Sequence, residues 1–142
     1  MNYLKPLLSQ AKRIENTNDK EYIRRIIRII HAYFDPAKYY VTTTNNFRLS
    51  RKASLNFIMK NRLRTCGSLS FIAAMLLKKL GYQTRLVDGK RKINGGHWAQ
   101  HAWIEVKFNN KWQSFDLFAK DFRLDSKKNK KIRTYLTWRK LF

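Results

Sequence analysis

Arg64-Thr65-Cys66-Gly67-Ser68, running into the apolar stretch Leu69-Ser70-Phe71-Ile72-Ala73-Ala74-Met75-Leu76-Leu77-Lys78-Lys79-Leu80 and stopping at Gly81, decides how the rest of the chain is read. Residues 69–80 read as one helix with a glycine stop. Cys66, the single cysteine of the chain, falls at its start. Unpaired backbone N–H groups and the positive end of the helix dipole favour a thiolate there, which suits a nucleophile.

Downstream, His101-Ala102-Trp103-Ile104-Glu105-Val106-Lys107-Phe108 alternates. Ala102, Ile104, Val106 and Phe108 share one face and His101, Trp103 and Glu105 the other, which predicts a half-buried strand. Asn109-Asn110 reads as a tight turn tolerant of positive φ, and residues 111–117 as the returning strand of a hairpin. With a two-residue loop, Trp103 lies opposite Asp116. His101 and Asp116 are then diagonal neighbours on one face. A carboxylate there holds the imidazole tautomer while the other ring nitrogen faces a thiol. Cys66, His101 and Asp116 are therefore expected to form a catalytic triad of nucleophile, acid–base and orienting carboxylate.

The same residues resemble the transglutaminase-like superfamily of papain-like cysteine enzymes. The resemblance runs in order through Cys66 at a helix start, Leu80-Gly81-Tyr82-Gln83-Thr84-Arg85 as a helix end and an arginine-bearing strand, His101-Ala102-Trp103-Ile104-Glu105, then Trp112 and Asp116. It implies an α+β papain-like fold, helices packed on a small antiparallel sheet, with the nucleophile at the N-terminus of the central helix. It also implies thiol acyl chemistry, since such families include crosslinkers, amide hydrolases and peptidases, without naming a substrate. One feature departs from the family's crosslinkers, which resemble one another in using a tryptophan upstream of the cysteine for the oxyanion. Trp98, Trp103, Trp112 and Trp138 all follow Cys66 here, so the second oxyanion donor is not identified by the resemblance.

Composition bounds this reading. At 142 residues with 44% apolar content the chain suits one domain with a real core. It divides into N-terminal helices over residues 1–63, a catalytic core over 64–118 and a basic C-terminal segment over 119–142. Thirty-one Lys and Arg against nine Asp and Glu give a net charge of +22, which speaks for anionic partners rather than for any fold. No segment approaches the roughly 20 apolar residues of a membrane span, and residues 1–10 lack a secretory signal's apolar region. A cytoplasmic location is the expectation, and one cysteine leaves no internal disulfide.

Taken in order, Tyr3, Leu4, Leu7, Leu8, Ala11 and Ile14 repeat at helical spacing around Pro6. Asp19 is the expected N-cap of a helix over residues 20–34, apolar at Tyr22, Ile23, Ile26, Ile27, Ile30, Tyr33 and Phe34 and stopped by Asp35-Pro36. Such a basic amphipathic helix suits a membrane surface, but packing on a core is its commoner use. Residues 38–47 suggest a short strand or extended loop, and Ser50 caps a further helix over 51–63. Residues 83–87 read as a strand and 88–96 as a Gly-, Lys- and Arg-rich loop of the kind that borders sites.

Other readings use the same residues. Cys66, His97, His101 and Asp116 are all metal-ligand types, but no second cysteine is present, so neither a metal nor a cofactor is expected. Lys127, Lys128, Lys130, Lys131 and Arg133, followed by Tyr135, Trp138 and Arg139, suit phosphate neutralisation and base stacking. They equally suit a solvated basic face. Glu105 is expected to pair with Arg85 or to touch substrate. The expected activity is acyl transfer from a peptide or protein donor to water or an amine. The alternative is a non-catalytic domain of the same fold that binds an anionic polymer, such as a nucleic acid or cell-surface polymer, or an acidic partner.

Overall fold

The computed structural model describes residues 4–35, 55–62 and 64–135. Among the described residues four helices, α1 (Lys5–Lys12), α2 (Asp19–Phe34), α3 (Leu55–Asn61) and α4 (Cys66–Lys79), precede a four-stranded antiparallel sheet. Its strands are β1 (Gln83–Lys92), β2 (Trp98–Phe108), β3 (Lys111–Phe115) and β4 (Asn129–Tyr135), in the order β3-β2-β1-β4. The class is α+β. The stretches at 38–47 and around Ser50 lie outside the described residues.

Helix α4 packs on β1 and β2, and α1 and α2 pack behind it. It is buried almost all round because it is apolar almost all round. It ends in a Schellman motif: Gly81, at φ 101°, donates its N–H to Lys78 and Tyr82 donates to Leu77, each at 3.0 Å. Thr84 Oγ1 donates to the Ala74 carbonyl at 3.0 Å, fixing which face of β1 meets the helix. In α2, Ile23, Ile26, Ile27, Ile30 and Phe34 are fully buried, so its apolar stripe serves the core. Its N-cap is Asn18 rather than Asp19. Asn18 is extended (φ −151°, ψ 120°) and its side chain accepts from Glu21 N–H, whereas Asp19 is already helical.

The hairpin forms in the predicted register, but its returning strand ends at Phe115 rather than at residue 117. Phe108 pairs with Lys111 and Ile104 with Phe115, and Asn109 and Asn110 take φ of 53° and 60°. Three strand expectations change. First, β1 runs to Lys92 and β2 begins at Trp98, so most of the supposed loop at 88–96 is paired strand. Second, β2 is buried on both faces, not one: residues 101–106 are all buried. Trp103 lies over Gly89, where a Cβ would collide with the indole and with the Lys130 carbonyl. Only glycine admits the ring. Third, the lysine-rich segment after Asp125 forms the edge strand β4.

Candidate active site

Thr65 sits extended (φ −136°, ψ 165°) and caps α4 through a reciprocal box. Its Oγ1 accepts from Ser68 N–H and Ser68 Oγ accepts from Thr65 N–H, both at 2.9 Å. This fixes the entry of the chain into α4, and with it the half-buried Cys66 at the first helical position.

His101 comes from β2 and Asp116 from just past the end of β3. Continuing the register by one step sets Asp116 opposite Trp103, diagonal to His101. The His101 ring donates from Nε2 to Asp116 Oδ2 at 2.8 Å, with both side chains buried. Asp116 is held in turn: its Oδ1 accepts from Phe118 N–H at 3.0 Å, and its own N–H donates to the Phe122 carbonyl at 3.1 Å. The chain after Asp116 therefore leaves the sheet in a turn and a 3-10 segment, Lys120–Phe122. With Nε2 engaged, Nδ1 is the nitrogen left for Cys66. Burial of the ring pulls its pKa down, but hydrogen bonds to Asp116 and Cys66, and the charges of both, outweigh this and raise it to about 9.

His31 of α2 supports the same turn. Its Nε2 lies 2.6 Å from the Leu117 carbonyl, and its ring packs edge-on to Phe118 and stacks on Phe122. Burial holds its pKa below the usual value, against the Leu117 hydrogen bond that raises it and with Arg64 lowering it further.

The three predicted site residues thus come together, and Cys66 and His101 open on a cavity of about 260 Å³. Arg64, Thr65, Arg91, Gln100 and Phe118 complete its wall. Parity along β2 sets Gln100 opposite His101, which hid it from pattern reading; it reaches the site because it stands near the open end of the strand. Arg91 was concealed by the loop assignment. His97 is exposed ahead of β2, and among the described residues no three His, Cys, Asp or Glu side chains group as metal ligands. Glu105 is occupied structurally: Arg85 Nε lies 2.6 Å and Lys131 Nζ 2.8 Å from its carboxylate, and Arg85 also covers the Trp112 ring at 4.0 Å.

The sequence matches the family model of the transglutaminase-like superfamily over residues 9–117. No curated protein matches it. Among solved structures, a proposed cysteine protease from Cytophaga hutchinsonii superposes with a TM-score of 0.64 at 19% identity, over 95% of this chain and 42% of that one. A TGase gives 0.58 at 18% identity over 82% of this chain and 30% of its own. An arylamine N-acetyltransferase from Bacillus cereus, described with a Cys-His-Glu catalytic triad, gives 0.55 at 17% identity over 82% and 49%. These likenesses concern the fold, and the chain spans less than half the length of each of these proteins.

Proposed function

Since the chain belongs to the transglutaminase-like superfamily, we propose that it is a thiol-dependent acyl-transfer enzyme acting on an amide or ester carbonyl, with Cys66, His101 and Asp116 as its triad. The observation that carries the reading is the buried 2.8 Å contact between His101 and Asp116 beside a thiol at a helix start and an open cavity.

With its pKa near 9, His101 holds a proton at neutral pH and can act as the acid, while the attacking form of Cys66 is its thiolate. Sγ of Cys66 attacks the carbonyl carbon, the Cys66 N–H at the helix start donates to the developing oxyanion, and His101 protonates the leaving amine or alcohol as its bond breaks. Water or an amine then gives its proton to His101 and attacks the thioester, releasing the acyl group and the thiol. Asp116 keeps the ring oriented and favours its charged form in both steps.

The competing reading is an anion-binding domain without catalysis, which the +22 charge favours. Part of that charge is already used inside the fold: Lys131 pairs with Glu105, Arg133 with Asp88 at 3.9 Å, and Lys130 lies over Trp98 at 4.3 Å. Turnover of an uncharged ester, p-nitrophenyl acetate, separates the two. Cys66→Ala should abolish it while leaving affinity for an anionic polymer unchanged; retained turnover in Cys66→Ala removes the enzyme reading.

A further inference from the structure

A second cavity, also of about 260 Å³, adjoins the one that holds Cys66, sharing Arg91 and Phe118 with it. Arg91, Lys120, Arg123 and Lys128 line this annex. Two carboxylates face it, and both have hydrogen-bonding duties: Asp116 is bound to His101, and Asp125 Oδ1 accepts the Lys127 N–H at 3.0 Å. The chain has only nine Asp and Glu, and several are spent elsewhere, Glu21 beside Arg24, Arg25 and Arg28, Asp35 beside Arg64, Asp88 beside Arg133 and Glu105 beside Arg85 and Lys131. Among the described residues no ion pair involves any of the four annex cations.

Four cations against two carboxylates leave this concave wall net positive, and an oxyanion placed on it accepts charge-assisted hydrogen bonds from cations that no ion pair among the described residues engages. The two arginines offer planar forks that match a carboxylate or phosphate. We propose that the acyl donor carries an anionic group, a carboxylate or a phosphate, that seats in this annex while its carbonyl meets Cys66. The inference rests on the acyl-transfer reading for the word donor. The annex itself is testable without it.

The test compares thiol-directed probes that differ in charge: 3-maleimidopropionate, 2-maleimidoethyl phosphate and the uncharged 3-maleimidopropionamide, each reacted with Cys66 at low salt. Addition needs only an accessible thiol, so it reports on the annex even if no acyl-enzyme ever forms. At least one anionic probe should react about tenfold faster than the amide, as one hydrogen bond to a charged group allows. The better of the two names the anion. The triple variant Lys120→Ala, Arg123→Ala, Lys128→Ala, all at exposed positions, should bring that ratio close to one. The triple variant Lys12→Ala, Lys78→Ala, Lys79→Ala removes the same charge, including the far end of α4 about 20 Å from Cys66, and should keep it. Equal loss of preference in both triples would reduce the effect to net charge and overturn the proposal, as would no preference in the wild type.

Discussion

Replacing Asp116 by Asn should change the pH dependence of stability in a way that only a charged, buried His101 explains. In the folded chain the imidazole pKa rises from 6.5 to about 9, with burial opposing the rise and Asp116 first among the groups that produce it. At about 1.4 kcal/mol per pH unit this difference is worth ~3 kcal/mol, and the ring is too buried for solvent to screen much of it. A folded-state pKa above the unfolded one means that the folded chain keeps a proton which the unfolded chain has released. The contribution is therefore full below about pH 6.5 and is lost as pH rises through about 9. Asparagine keeps the shape but not the charge, leaving burial opposed only by Cys66. Urea midpoints measured from pH 6 to 9.5 should fall with pH in the wild type, and the fall should be much smaller in Asp116→Asn. NMR of the labelled imidazole should show the His101 titration move towards or below 6.5. Parallel stability curves for the two proteins would refute the reasoning, because Asp116 would then not be what holds the proton.

Two further outcomes follow from the sheet. Arg85→Ala leaves Glu105 buried with Lys131 as its remaining cation and strips the cover from Trp112, so unfolding stability should drop by ~3 kcal/mol by urea titration. Loss below a few tenths would mean that the pair is solvated. Gly89→Ala forces a methyl into the Trp103 ring and the Lys130 carbonyl and should cost at least ~2 kcal/mol, with a shifted Trp fluorescence spectrum; an unchanged urea midpoint would show that the ring does not lie there.

The sequence shows the site more readily than it shows the sheet. Asn109-Asn110 fixes a two-residue loop, and simple counting back along both strands brings Asp116 to His101. The glycine stop and the position of Cys66 locate α4 because hydrophobic run, cap and terminator agree. What remained hidden depends on long-range packing. Strand β4 is legible only after folding: residues 130–133 are exposed, so they carry no apolar alternation, and lysines are the usual residues of a protected edge. Gly89 reads as a loop residue until Trp103 is seen above it. Asn18 and Asp19 are both competent caps, and only the backbone angles choose between them.

The central claim is that Cys66 is an acyl-accepting nucleophile driven by His101, and the direct measurement is intact-mass detection of the acyl-enzyme after brief exposure to p-nitrophenyl acetate at neutral pH. One acetyl group should appear on the wild-type chain and map to Cys66. It should be absent in Cys66→Ala and form roughly 10²- to 10⁴-fold more slowly in His101→Ala, the range that general acid–base assistance supplies. An adduct that forms equally fast without His101, or none on Cys66 at all, would contradict it.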